Sequence, residues 1–337
     1  MKLLLWVGLL ITLMLNLLPG VTPAATACEF TQGQAAVEDG SIVYNQYGRG
    51  PTVLLLHGLF ADKEQWHRLA CLLEDAGYSV IAPDLPGYGK STGFPLPDYQ
   101  LENQVRLLHQ FLGALNIRRY HVGGSSMGGT IAAMISRHYP LEVRSLAFVG
   151  SPQGIIEWSP ELRAAIVEGI NPFIPIDVAQ FDLEMSLLFV TPPVVPIEVK
   201  EAAVNEYVTR NRHYQAVWDI NSLYTTQLTK GHWKGKPTLV IWGQNDQIFS
   251  VKGAGKLKAR IPRAKVIRLP DAGHLLMMEN STEAARFYLR FLKRHEISSA
   301  AVRPHRSAHW DSFFSILDGG FLGLDPKSSQ RTLASPD

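Results

Sequence analysis

The five residues Gly124-Ser125-Ser126-Met127-Gly128 constrain this chain more than any others. They join an apolar, strand-like run ending at Tyr120-His121-Val122 to a small-residue helical run, Gly129-Thr130-Ile131-Ala132-Ala133-Met134-Ile135. A G-x-S-x-G sequence in that context predicts a sharp strand-to-helix turn with a serine at its apex. A serine hydroxyl is a weak nucleophile unless it is held out of the sheet beside a base and beside donors for a developing oxyanion. Such a turn crowds the residues flanking the serine, and glycine relieves the crowding because it lacks Cβ. The pattern therefore points to Ser126 as a nucleophile at the edge of a sheet.

The rest of the chain fits a sheet of that kind. Apolar runs predict strands at Ser41–Gln46, Thr52–Leu56, Ser79–Ala82, Tyr120–Val122, Ser145–Val149, Thr238–Trp242 and Lys265–Leu269. Between them, helical spacing predicts helices at Lys63–Ala76, Leu101–Leu115, the run to His138, Val251–Arg260 and Thr282–Arg294. Alternation of this kind implies an α/β fold, a mostly parallel sheet with helices on both faces. Residues 40–151 and 233–297 would form this core. Residues 152–232 differ: prolines at Asn171-Pro172, Pro175, Pro192-Pro193 and Pro196 break them into short helices and turns. This segment reads as a mainly helical cap inserted over the carboxyl edge of the sheet, where sites in such folds lie. Its apolar residues Trp158, Phe173, Ile174, Phe181, Leu187, Phe189 and Val194 suit either an acyl-chain pocket or packing of cap on core.

A serine nucleophile on this turn needs an acid and a histidine, in that chain order. Of eleven histidines, His274 follows a core strand directly, in Leu269-Pro270-Asp271-Ala272-Gly273-His274, and is the expected base. Asp246, after Thr238–Trp242 and the turn Gly243-Gln244-Asn245, is the expected acid; Asp271 is the alternative and better placed to shape the histidine loop. His57-Gly58-Leu59-Phe60 follows the buried strand Thr52–Leu56. A loop there supplies one backbone N–H to the oxyanion and the residue after the nucleophile the other, which assigns the donors to Leu59 and Met127. His57 is read as bracing that loop. Gly87-Tyr88-Gly89-Lys90-Ser91 resembles the end of a phosphate-binding loop, but Asp84 stands where its first glycine belongs, so nucleotide binding is rejected. No metal-ligand spacing is visible among Cys, His, Asp and Glu.

The termini read differently. Lys2 precedes the almost wholly apolar run Leu3–Leu18, then Pro19-Gly20 and Ala25-Thr26-Ala27-Cys28. That is the organisation of a secretory signal, predicted over residues 1–27; the run is short for a spanning helix, which needs roughly 20 apolar residues. Cys28 follows the small-residue stretch as in the lipobox of bacterial lipoproteins and is a candidate for lipidation. Pairing with Cys71, or a free thiol, are the alternatives. The chain is expected to be exported: periplasmic, anchored to a membrane through its N-terminus, or secreted, in a bacterium. The net charge of +2, without a long basic run, argues against a nucleic-acid partner. Residues 298–337 carry Pro, Ser, Gly and charges and are expected to be a flexible tail.

Together, His57–Phe60, Asp84-Leu85-Pro86-Gly87-Tyr88-Gly89-Lys90-Ser91, Gly124–Gly129, Trp242–Asp246 and Gly273-His274 resemble the α/β-hydrolase superfamily over about residues 40–295. Within it, the chain looks most like bacterial esterases and lipases related to mammalian monoacylglycerol lipases. That resemblance implies a carboxylic-ester hydrolase acting on a small-molecule ester or lipid, with a Ser-His-Asp triad, an acyl-enzyme intermediate and no cofactor. Three alternatives stand beside it: a carbon–carbon bond hydrolase using the same triad, a peptidase or amidase, which no sequence feature favours, and a non-catalytic binding protein on a hydrolase scaffold.

Overall fold

The computed structural model describes residues 28–230 and 235–301. The predicted signal segment and residues 302–337 of the predicted tail lie outside the described residues. The chain divides into a unit ending at Glu296, which holds the sheet, and a shorter one beginning at Ile297. Among the described residues, no helix is long and apolar enough to cross a membrane.

Strands β1 (Phe30–Val37), β2 (Gly40–Tyr47), β3 (Thr52–Leu56), β4 (Ser79–Pro83), β5 (Tyr120–Ser126), β6 (Val143–Pro152), β7 (Thr238–Gly243) and β8 (Lys265–Leu269) form one sheet in the order β1-β2-β4-β3-β5-β6-β7-β8. β1 and β2 are antiparallel to their neighbours, and β4 onward is parallel. Helices α1 (His67–Glu74), α2 (Leu101–Ala114), α3 (Met127–His138), α4 (Pro160–Val167), α5 (Val178–Leu188), α6 (Ile197–Thr209), α7 (Asn211–Ser222), α8 (Lys252–Arg260), α9 (Leu276–Glu279) and α10 (Ser281–Ala301) connect and cover it.

The central strands are apolar on both faces because both are covered. Leu54, Leu56, Val122, Leu146, Phe148, Val240 and Trp242 pack with residues of α2, α3 and α8. Their neighbours Val53, Leu55, Ala147, Val149, Leu239 and Ile241 pack with residues of α1, α9 and α10. The period of two along each strand divides one apolar sequence into two cores. All strands but one and the helices α1, α2, α3, α8 and α10 lie where the sequence predicts, within a few residues except at the end of α10, which runs on to Ala301; the four-residue α9 is not among the predicted helices. The helix predicted over Lys63–Ala76 is a 3₁₀ turn, Lys63–Trp66, followed by α1.

The missed strand is β1. Its sequence, Phe-Thr-Gln-Gly-Gln-Ala-Ala-Val, is polar, and it is mostly exposed at the sheet's edge. It carries little apolar alternation because only one residue, Ala35, is buried. The sheet thus starts at Phe30, before the predicted boundary at residue 40.

Helices α4 to α7 occupy the segment between β6 and β7. Ser159 and Asp177 cap α4 and α5 by accepting the Leu162 and Gln180 N–H. An aromatic stack fastens these cap helices to the core. Trp158 stacks on Phe249 of the core at 4.7 Å between ring centroids and on Trp218 of α7 at 5.7 Å, and Phe173 stacks on Trp218 at 5.4 Å. Such pairs contribute about 0.5–1.5 kcal/mol each beyond the area they bury. Phe181, Leu187 and Phe189 are buried in the packing, whereas Val194 is exposed.

Lipidation at Cys28 is corrected by the structure. Cys28 is bonded to Cys71 of α1, with 5.5 Å between their Cα atoms. A sulfur in a disulfide cannot also carry a thioether-linked lipid. The bond pins the start of β1 to the helix beneath it, beside His67. Closing a loop of 43 residues restricts the unfolded chain and stabilises the fold by about 3–4 kcal/mol. Cys71→Ser should therefore unfold in urea with a free energy lower by that amount, and reductant should affect the parent alone. Equal unfolding midpoints with and without reductant would show that the pairing does not stabilise the fold.

Candidate active site

Ser126 ends β5 and precedes α3. Its backbone is left-handed, φ 52° and ψ −124°, a conformation that costs a non-glycine residue about 1–3 kcal/mol. The glycines around it permit the turn by close approach. A Cβ on Gly124 would stand 2.3 Å from the Gly128 carbonyl oxygen, and one on Gly128 would stand 2.2 and 2.3 Å from the carbonyl oxygens of Leu56 and His57. The start of α3 therefore lies directly against the loop leaving β3. Backbone cannot yield as a flexible side chain can, so Gly128→Ala should destabilise the fold by about 2–3 kcal/mol. A midpoint within error of the parent in chemical unfolding would contradict that crowding.

The loop after β3 is braced by His57, which is fully buried. Its Nδ1 lies 2.8 Å from the Gly58 carbonyl oxygen, and its Nε2 is 2.9 Å from the Leu85 N–H. Nε2 must accept from that N–H, so the proton sits on Nδ1 and is donated to Gly58. Burial lowers the ring's pKa to about 4, partly opposed by Asp84. Beneath the loop, buried Lys63 and Asp84 pair at 2.9 Å, and Asp84 also accepts the Lys63 and Lys90 N–H. Phe60 at the loop's end is left-handed, φ 56°, with its ring edge-on to Tyr214 and Tyr207 of the cap.

Three further strand ends bring the remaining groups together. His274 follows β8 and Asp246 follows β7; both are buried. His274 Nδ1 is 3.1 Å from Asp246 Oδ2 and 3.2 Å from Oδ1. Asp246 is itself fixed, its Oδ1 accepting the Ile248 and Phe249 N–H, each at 2.9 Å. Asp271, the alternative acid, is exposed and left-handed at φ 50°; it shapes the turn into the histidine loop. Ser151, at the end of β6, is a member of the site that the sequence does not announce. Its hydroxyl donates to Asp246 Oδ2 at 2.5 Å and lies 2.9 Å from His274 Nδ1. With its proton committed to the carboxylate, its oxygen accepts from Nδ1–H alongside Asp246. Both contacts place the proton on Nδ1 and leave Nε2 as a base. A serine closing a strand carries no periodic signal, so nothing local distinguishes it.

Ser126 and His274 line one pocket with Gly58, Leu59, Trp158 and Leu188, about 830 Å³ including its open mouth. Met127, the second predicted oxyanion donor, begins α3 and is buried behind that surface. The neighbouring Ser125 is wholly buried, whereas Ser126 is half-buried. Trp158 and Phe173 contribute to the pocket's walls. Glu184 of α5 also lines it, and burial raises its carboxyl to about 8. Burial thus favours its neutral form; Asp62, which also lines the pocket, is pushed up to about 7 by burial and by the nearby Asp84.

The sequence and fold that carry these groups have counterparts among known proteins. A family model for the alpha/beta hydrolase fold matches residues 51–187 and 191–281. The chain belongs to the α/β-hydrolase family. Lipase 1 of Psychrobacter immobilis is 34% identical over 261 residues, covering 74% of this chain and 80% of the relative. Monoacylglycerol lipase ABHD6 of Bos taurus is 30% identical over 273 residues, covering 76% and 80%. Among solved structures, a membrane phospholipase A described as a bacterial virulence factor superposes with a TM-score of 0.71 at 29% identity, covering 79% of this chain and 87% of that one.

The buried, uncharged His57 gives this α/β hydrolase a pH signature. Between about pH 6.5 and 4 the unfolded chain takes up a proton at residue 57 that the folded chain refuses. The stability present above pH 6.5 should fall through that window by about 3 kcal/mol from this group. Urea unfolding at pH 7 and 4.5 should show a loss that shrinks by a similar amount in His57→Asn. Identical losses in the two proteins would contradict the assignment.

Proposed function

We propose that this α/β hydrolase is a serine esterase or lipase that cleaves apolar acyl esters, with acylglycerol-like lipids as the favoured substrates. The single observation that carries the reading is His274: its Nδ1 is held by Asp246 and Ser151 while the ring shares a pocket with Ser126. A proton fixed on Nδ1 leaves Nε2 to take the proton of Ser126 as the hydroxyl attacks an ester carbonyl. The Leu59 and Met127 N–H groups stabilise the oxyanion. The alcohol leaves with the proton returned by His274, and water then releases the acid from the acyl-enzyme by the same route.

The names of the relatives, lipase and monoacylglycerol lipase, support ester hydrolysis over carbon–carbon cleavage. The apolar wall of Leu59, Trp158, Phe173, Leu188, Leu275 and Met278 supports an apolar acyl group. A full set of nucleophile, base and acid argues against a scaffold retained only for binding. The Cys28–Cys71 bond supports export, because disulfides persist in oxidising compartments. The apolar N-terminal segment offers a route to the membrane.

Ser126→Ala and His274→Ala should each lower kcat on p-nitrophenyl esters at least 10³-fold, and Asp246→Asn by about 10⁴-fold, with far-ultraviolet circular dichroism unchanged. Full turnover by a correctly folded Ser126→Ala protein would refute the reading.

A further inference from the structure

The histidine loop is held from the cap side as well as from the core. Where α5 ends, Leu188 turns its carbonyl oxygen to the His274 N–H at 3.1 Å and the Leu275 N–H at 3.2 Å. Glu279, at the end of α9, then bridges the two segments. Its Oε2 accepts the Gly273 N–H at 2.9 Å, and its Oε1 accepts the Val190 N–H at 2.7 Å and the Thr191 N–H at 3.3 Å. The approach is close: a Cβ on Gly273 would meet Glu279 Oε2 and the Leu188 carbonyl oxygen, each at 2.9 Å. Residues 188–191 are the cap's link from α5 to α6, and residues 273–275 carry the predicted base.

We infer that Glu279 is a positioning residue whose carboxylate clamps the cap link 188–191 to the histidine loop. His274 reaches its working position only while the cap is seated. A carboxylate suits this place because both its oxygens accept and neither donates. Glutamine has one accepting oxygen and one amide group that donates. It can serve the Gly273 side or the Val190 side but presents N–H to N–H on the other. The Asp246 and Ser151 contacts fix the ring's tautomer; the Glu279 clamp fixes the backbone from which the ring projects. A small displacement of that backbone matters, since a misplacement of about 1 Å can cost about 100-fold in rate. Leu188 of the link lines the pocket wall together with Leu275 of the histidine loop and Met278 of α9. A substrate that seats the cap would therefore also seat the base.

The structural half of this inference stands apart from the proposed activity, and the kinetic half rests on it. Two variants break the clamp from opposite sides. Glu279→Gln weakens it from the core. Val190→Pro removes the 2.7 Å donor from the cap, and Phe189 before it is extended, φ −120° and ψ 145°, as a residue preceding proline must be. Hydrogen exchange, followed by mass spectrometry on the full chain, should rise in both 273–275 and 188–191 in either variant. Exchange raised only in the mutated segment, in variants that otherwise keep parental protection, would overturn the clamp whether or not the protein hydrolyses esters. On p-nitrophenyl butyrate, each variant should lose kcat about 10- to 100-fold with KM within threefold. The double variant should be no worse than the more impaired single one, because both changes cut one connection. Glu279→Asp, which keeps both acceptor oxygens, should recover part of the loss. Parental kcat in folded Glu279→Gln, or a loss confined to KM, would overturn the positioning role. Inactivity of the parent itself would instead count against ester hydrolysis and leave the exchange result standing.

Discussion

The site depends first on a backbone collision that glycine avoids. The start of α3 can lie against the carbonyls of Leu56 and His57 only because residue 128 has no side chain. That approach turns Ser126 into a left-handed conformation and puts it, half-exposed, in the same pocket as Leu59. The strain is local, and the tightly packed strands on either side over-determine it. Every other group of the site takes its place around that turn.

Those partners are built as layers of restraint. Asp246 is held by two backbone N–H groups and the Ser151 hydroxyl, and it holds His274 in turn. His57 is kept neutral by burial and spends both ring nitrogens on backbone, which fixes the loop carrying Leu59. The cap adds the outer layer: Phe60 under Tyr214, Trp158 on Phe249, and Glu279 across the link at residues 188–191. Groups poised for chemistry are thus placed by polar contacts, to main chain at Asp246 and His57 and to side chains at the His274 ring. The apolar residues supply the walls and the adhesion of cap to core.

Much of this was legible in the sequence because it has a period or a motif. Buried parallel strands announce themselves as apolar runs, and the Gly-x-Ser-x-Gly turn, the loop at His57 and the ends at Asp246 and His274 stand at fixed places relative to them. The edge strand β1 escaped because an exposed strand needs few apolar residues. Ser151 and Glu279 escaped because their roles come from hydrogen bonds that span 95 residues in one case and 89 in the other, and no local pattern encodes such a meeting. Cys28 shows the opposite failure. A local pattern there suggested lipidation, while the bond that the structure contains lies 43 residues away. Long-range pairings set the site's geometry, and they are the part that a linear reading sees least well.

The central claim is that Ser126, and not its buried neighbour Ser125, carries the acyl group. Rapid acid quench of the enzyme turning over a p-nitrophenyl ester, with peptide mass analysis of the quenched protein, tests this directly. The account predicts one acyl group per chain, located at Ser126 by fragmentation. An acyl group on Ser125 or elsewhere, or no adduct during a measured burst of nitrophenol, would contradict it.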